Sequence, residues 1–154
     1  MDKWLDVGIK GHAAWPTKET KVTFGGYELL LKPGTKNTEQ SVHINLKGIS
    51  QQEALTLINR FLSILSWCDG VPMENLYGLS GGMLPGVISR NTISVFGSCI
   101  GDYPFYRDVD QNHKTCLALA LYREALAVNS VPFTFLSYFK IMNVFWKDSK
   151  EHIE

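Results

Sequence analysis

The chain has 154 residues, a length at which a single domain with one core is the commonest arrangement. Its hydrophobic content of 45% excludes a disordered chain, and 15 basic residues balanced by 15 acidic ones provide no bulk attraction for nucleic acid or an anionic membrane. The first residues contain no apolar leader, and no stretch approaches the roughly 20 apolar residues that span a bilayer. We therefore expect one cytoplasmic domain without a membrane partner, in which nucleic-acid binding would need a local basic patch.

The N-terminal part of the chain predicts β-structure. Apolar residues alternate with polar or small ones over residues 5–9, which indicates a short first strand. Residues 21–24 and 27–31 are β-prone and are joined by Gly25-Gly26, a pair that favours the type I′ turn of a hairpin. Residues 41–46 alternate again, with His43 on the face opposite the apolar side chains.

A helix is predicted from Ser50 to about Trp67. Ser50 and Glu53 have the spacing of a capping box, in which each side chain bonds the backbone amide of the other residue. Asp69-Gly70 marks the end. The expected buried stripe contains Ala54, Leu55, Ile58, Phe61, Leu62 and Leu65.

Residues 70–107 are expected to form a glycine-rich loop followed by a strand. Five glycines and two prolines lie between Gly70 and Gly86, and the pattern over residues 72–86 is too irregular to indicate a helix or a strand. Loops of this length are often functional. Residues 91–96 are β-prone, and residues 97–107 again predict a loop.

Residues 110–147 predict an antiparallel αα-hairpin. Asp110 or Asn112 can cap the first helix, and Ser130 with Pro132 in the next turn marks the start of the second. The expected buried stripe of the first helix contains Leu117, Ala120, Leu121 and Leu126.

The second helix of the hairpin is apolar around most of its circumference, which usually means that more protein covers it. We therefore expect a homo-oligomer or a helical partner protein at the C-terminal hairpin. The predicted fold class is α+β: an antiparallel sheet in a β-rich region over residues 1–48, one packed helix, then the αα-hairpin.

Two groups of residues are candidates for ligand binding or catalysis. Ser80 lies in Gly78-Leu79-Ser80-Gly81-Gly82, where glycines allow backbone amides to approach a ligand or an oxyanion, although a nucleophile elbow would need a following helix and Pro85-Gly86 follows instead. Together with Trp67 and Tyr77, the residues Ser80, Gly81 and Gly82 form the candidate ligand-binding surface; core packing explains the aromatic residues equally well.

Arg107 and His113 are the candidate catalytic pair, since an arginine can stabilise a developing phosphate charge while a histidine transfers a proton. The alternative is a helix start with ordinary surface charge. No metal site is predicted, because the four histidines and three cysteines lack ligand spacing, and surface or capping positions are expected for the histidines. We expect no cofactor.

Several blocks of the chain resemble the family of methylamine-utilisation protein MauJ. They are residues 12–18 (HAAWPTK), 58–70 (INRFLSILSWCDG), 72–75 (PMEN), 120–125 (ALYREA), 130–133 (SVPF) and 136–141 (LSYFKI). The last blocks are also similar to the helical entry of ApeA-like HEPN proteins. The resemblance implies longer relatives with further C-terminal helices and an Arg-to-His element there, but it implies no particular reaction.

Three hypotheses for function follow. The first is a bacterial sensing or protein-interaction module, within an anti-phage defence or stress system. The second is a metal-independent HEPN-type ribonuclease that uses Arg107 and His113. The third is a small-molecule or nucleotide-binding pocket at residues 72–86.

Overall fold

The structure, a computed structural model, describes residues 3–89, 99–100, 109 and 111–146. Five strands form an antiparallel sheet in the order β3-β4-β5-β1-β6, and three helices complete the α+β fold that the sequence predicts. The sheet strands are β1 (Trp4–Gly11), β3 (Thr20–Phe24), β4 (Tyr27–Lys32), β5 (Gln40–Asn45) and β6 (Met73–Gly82). Two short strands, β2 (Trp15–Pro16) and β7 (Cys99–Ile100), pair in parallel, and the helices are α1 (Gln51–Asp69), α2 (His113–Ala127) and α3 (Val131–Trp146).

The predicted hairpin is confirmed by β3 and β4. Phe24 and Tyr27 are the last paired residues, so the connection contains two residues. Gly25 and Gly26 have φ angles of 57° and 82°, which are the left-handed values that a type I′ turn requires at both positions. The glycine pair therefore sets the register of this end of the sheet.

The capping box at the start of α1 is also confirmed. The Glu53 backbone amide donates to Ser50 Oγ at 3.2 Å, and the Ser50 amide donates to Glu53 Oε2 at 3.0 Å. The Ser50 hydroxyl adds a bond of 2.6 Å to the same carboxylate oxygen. At the other end, Gly70 has a φ of 66° and caps the helix at the predicted Asp69-Gly70, so the last helical residue is Asp69, two residues beyond the expected Trp67.

The hydroxyl of Ser50, and after it the backbone amide of Ser50, lower the pKa of the Glu53 carboxyl. Since the folded-state pKa lies below the unfolded value, the stabilisation is present above the unfolded pKa and is lost as the pH falls through the folded pKa. We expect Ser50→Ala to return the Glu53 pKa towards its ordinary value in an NMR titration of the carboxyl carbon. Thr56→Ala, at an exposed position one turn along α1, is the control; an unchanged Glu53 pKa in Ser50→Ala would contradict the assignment.

One face of the sheet packs on α1 and forms the core. The alternating apolar side chains of β1 and β5 point to this face, as the period-two pattern predicts. Phe61 of α1 contacts Phe24 edge-on, with ring centroids 5.4 Å apart and an angle of 62° between the rings. The sheet side chains in the core are Leu5, Val7, Ile9, Val22, Phe24, Leu29, Leu31, Val42 and Ile44.

The opposite face of the sheet is covered by a segment that we call the strap, residues 83–89. The Glu39 amide donates to the Ile88 carbonyl at 2.9 Å, and Lys32 Nζ donates to the carbonyls of Pro85 and Gly86. Ile88 is buried over Gly8, where a β-carbon would lie 2.9 Å from its Cγ2. Both faces of β1 and β5 are therefore covered.

The prediction of an irregular loop over residues 72–86 is wrong for most of its length. Residues 73–82 form β6, a ten-residue edge strand that pairs with β1. The register between the two strands shifts at Trp4/Leu5 and again at Gly8/Ile9, and Gly81 has a φ of 104°. These irregularities hide the period-two pattern, since each shift moves the side chains to the other face. The strand predicted at residues 91–96 lies outside the described residues, as does most of the loop at 97–107.

The bounds of the C-terminal hairpin are confirmed, but the buried face of α2 is not the predicted one. Asn112 caps α2 by accepting from the Thr115 amide at 2.9 Å. Leu117 is 41% exposed, whereas Ala118 and Ala125 are buried. The buried side lies about 100° around the helix from the predicted stripe. Leu119 also packs against the core from this side, whereas Leu117 remains exposed.

Candidate functional site

The most exposed apolar surface among the described residues is on α3. The described residues include fourteen exposed large apolar side chains, and nine of them belong to α3. Ser137 is the buried residue of this helix. Five of the nine repeat at intervals of four and three residues, which is the spacing of a coiled-coil seam. We call these five the α3 seam: Val131, Phe135, Tyr138, Met142 and Phe145, which are between 38% and 85% exposed.

A contact of Thr134 at the turn and a ring contact of Tyr138 hold α3 against α2. The Thr134 hydroxyl lies 3.3 Å from the carbonyls of both Ala125 and Val128, at the turn between the helices. Tyr122 and Tyr138 are in ring contact, with centroids 6.1 Å apart. Tyr138 is therefore the seam residue nearest to α2, and the other four seam residues are 46–85% exposed. Ile141, Met142, Phe145 and Trp146 also line a shallow cavity of about 410 Å³ near the end of the helix.

A second group of polar residues is buried between the sheet and the strap. His43 Nδ1 donates to Asp6 Oδ1 at 2.7 Å, and the Nε2 of the same ring lies 2.7 Å from the Ser41 hydroxyl. The Gly86 amide of the strap donates to the other oxygen of Asp6 at 2.9 Å. Asp6 and His43 are directly opposite in the register of β1 and β5.

The Asp6–His43–Ser41 network has the same contacts as a catalytic triad, in which a carboxylate orients a histidine and the histidine acts as base for a serine nucleophile. All three residues are at most 5% exposed, so a substrate does not reach the Ser41 hydroxyl in this conformation. Its role in this conformation is to join two strands and the strap. The expectation of a surface or capping position is therefore wrong for His43. The sequence signal that could have indicated burial is the position of His43 between the apolar residues Val42 and Ile44 of a strand.

A third feature is a groove of about 570 Å³ between the start of β6 and α2, which we call the Arg123 groove. Arg123 donates through Nη1 to the Asn59 carbonyl at 3.1 Å and through Nη2 to Asn59 Oδ1 at 3.0 Å. Asn75 of β6 donates to the same Oδ1 at 2.7 Å. Burial lowers the pKa of the Arg123 guanidinium because desolvation disfavours its charge. The sequence analysis did not single out Arg123.

Of the predicted ligand-binding residues, Tyr77, Ser80, Gly81 and Gly82 lie on one strand, whereas Trp67 lies at the end of α1 opposite to the one that Ser80 contacts. Ser80 is exposed on β6 and donates to Gln51 at the start of α1, at 3.0 Å. Trp67 lies 16 residues further along α1, which corresponds to about 24 Å along the helix axis. The backbones of Tyr77, Gly81 and Gly82 belong to β6, so Ser80 lies within a strand and not on a strand-to-helix turn.

Of the predicted catalytic pair, His113 is the exposed first residue of α2, whereas Arg107 lies outside the described residues. No cluster of three or more potential metal ligands occurs in the part of the chain that the structure describes. Within the same residues, no helix combines the length and the apolar character needed to cross a membrane.

Comparison with known proteins gives one family match. The model of the family described as methylamine utilization protein MauJ matches residues 118–154, which include most of α2 and all of α3. No curated protein and no solved structure matches. The similarity to the MauJ family is thus carried by the part of the chain that contains the α3 seam.

Proposed function

We propose that this protein is a protein-interaction module that associates with a second copy of itself through the α3 seam. The supporting observation is the 4-3-4-3 repeat of large apolar side chains, all of them exposed on one side of a sixteen-residue helix. In a soluble helix this repeat ordinarily packs against another helix.

The exposed apolar area of α3 as a whole is large for a monomer. An aromatic side chain buries about 150–250 Å², so the six exposed aromatic side chains of α3, each close to half exposed, leave roughly 600 Å² open to solvent. That value reaches the upper end of the largest apolar patch on a typical monomer, about 300–600 Å². The α3 seam holds three of these six aromatic side chains and two of the three exposed aliphatic ones, so it supplies a large part of this apolar area.

The sequence of α3 also suits a second copy of the same helix. Lys140 is the one charged residue in α3, so two copies meet without strong charge repulsion. Two antiparallel copies can place Val131 of one against Met142 of the other, and Phe135 of one against Tyr138 of the other. The two-fold axis repeats each of these residue pairs once, so the surface is self-complementary.

Phe135→Asp is expected to convert the dimer to a monomer, because it places a charge in the centre of the seam. Sedimentation equilibrium at about 100 μM protein measures the change, and an interface of standard size predicts at least a hundredfold weaker association. Phe133→Asp is the matched control, since Phe133 is 62% exposed but outside the seam, and it should leave the dimer intact. A wild-type protein that is monomeric at this concentration contradicts self-association and leaves a different helical protein as the occupant.

Cysteine cross-linking tests the direction of packing. A mixture of Val131→Cys and Met142→Cys proteins should form a disulfide-linked dimer on oxidation, because the two positions share a layer in the antiparallel arrangement. Val131→Cys alone should not, since its two copies lie about 16 Å apart along the axis and a disulfide needs α-carbons within about 7 Å. Cross-linking of Val131→Cys alone beyond the wild-type background would indicate parallel packing.

A further inference from the structure

The Arg123 groove has the size and composition of a small-molecule site. Its volume of about 570 Å³ lies within the range of about 300–1,000 Å³ that is typical of ligand pockets. One wall belongs to the start of β6 and the other to α2. Its apolar lining consists of Met73, Leu117, Ala120, Leu121 and Ala127, and its polar lining of Glu74, Asn75, Arg123 and Glu124.

Arg123 adds a positive charge to this groove and forms no ion pair among the described residues. Its two hydrogen bonds go to neutral oxygens of Asn59, which fix the guanidinium plane and leave further N–H donors of its five. Over residues 3–89, 99–100, 109 and 111–146, no carboxylate oxygen lies within 4 Å of it. Arg123 is half-buried, and a guanidinium fork held in one plane matches the two oxygens of a carboxylate.

The two glutamates of the lining restrict the kind of anion. Glu74 and Glu124 contribute negative charge to the same groove, which disfavours a ligand with several negative charges such as a nucleotide. The same carboxylates favour a ligand that also has an ammonium group. The apolar walls favour an aliphatic body between or beside the two charges.

We infer that the Arg123 groove binds a small apolar zwitterion of the amino-acid type. Its carboxylate is held by Arg123, its ammonium group by Glu74 or Glu124, and its side chain lies on the leucines of α2. This binding site is separate from the α3 seam, and it holds whether or not the protein dimerises.

The first test compares three probes with the wild-type protein: L-leucine, 4-methylpentanoate, which lacks the amine, and 3-methylbutylamine, which lacks the carboxylate. In an NMR titration we expect L-leucine to shift the signals of Asn75, Leu121 and Arg123, and each truncated probe to bind at least tenfold more weakly. Addition of ADP should produce no shift at these residues. Absence of binding by L-leucine at 50 mM, or equal binding of all three probes, would overturn the inference.

The second test uses variants of the two charges. Glu74→Gln leaves the contacts between Arg123 and Asn59 in place. It should reduce the ratio of the affinities for L-leucine and 4-methylpentanoate at least threefold. Arg123→Gln should abolish binding of L-leucine, and Arg60→Gln, at an exposed arginine of α1, should leave it unchanged. Binding of L-leucine that is insensitive to both Arg123→Gln and Glu74→Gln would place the ligand elsewhere and refute the assignment.

Discussion

Replacing His43 by leucine is expected to lower the free energy of unfolding by about 3–5 kcal/mol, because it removes a hydrogen-bond partner from the buried Asp6 carboxylate. His43 is 0% exposed, and its ring connects Asp6 to Ser41 through two bonds of 2.7 Å. Without the ring, the Asp6 carboxylate keeps the Gly86 amide as its donor and stays buried beneath the strap. The loss should be measured by urea denaturation.

A double-mutant cycle separates the interaction between Asp6 and His43 from the packing of their side chains. Asp6→Leu combined with His43→Leu removes both polar groups, and such replacements are often neutral or stabilising compared with the broken pair. We therefore expect the double variant to be more stable than His43→Leu alone. The exposed ion pair between Lys21 and Glu28 is the matched control, and Glu28→Gln should cost no more than about 1 kcal/mol. A double variant as unstable as the sum of both single changes would contradict the coupling.

The second large effect is expected for Phe61→Ala, at about 3–5 kcal/mol of unfolding free energy. Phe61 is 0% exposed, lies between α1 and the sheet, and packs edge-on against Phe24. Removing its ring loses apolar burial and leaves a cavity that the two surrounding layers fill only in part. Denaturation in urea at low protein concentration measures the change.

Phe133→Ala is the control for this substitution, because it removes the same ring from a position that is exposed and outside the α3 seam. It should alter the unfolding free energy by no more than about 0.5 kcal/mol. Phe61→Leu, which retains most of the volume, should cost less than Phe61→Ala. Equal effects of Phe61→Ala and Phe133→Ala would show that α3 is packed against protein in the folded state.

The elements that were predicted correctly depend on contacts within a few residues. The Gly25-Gly26 turn requires two left-handed residues side by side, and Ser50 with Glu53 closes the first turn of α1. The apolar excess of α3 also belongs to this group, since it is a property of one helix. Such features can be predicted from the sequence because the residues that form them are close together in the chain.

The candidate sites that were missed depend on residues far apart in the chain. Asp6 meets His43 across 37 positions and Gly86 across 80, and Arg123 meets Asn59 across 64. No local pattern indicates such partners, because the pairing follows from strand order and from how closely α2 approaches α1. The same reason explains why Leu117, an apolar residue of an amphipathic helix, remains exposed.

The sequence by itself determined the class of fold, the hairpin, the ends of all three helices and the apolar excess of α3. Only the tertiary structure decided that residues 73–82 pair with β1 as a strand, that His43 is buried, and that Arg123 lies at a groove. The physical reason is the range of the interactions: turns, caps and helix periodicity act over about four residues. The packing of separate elements determines which face of a helix or strand is buried and which charged groups come into contact.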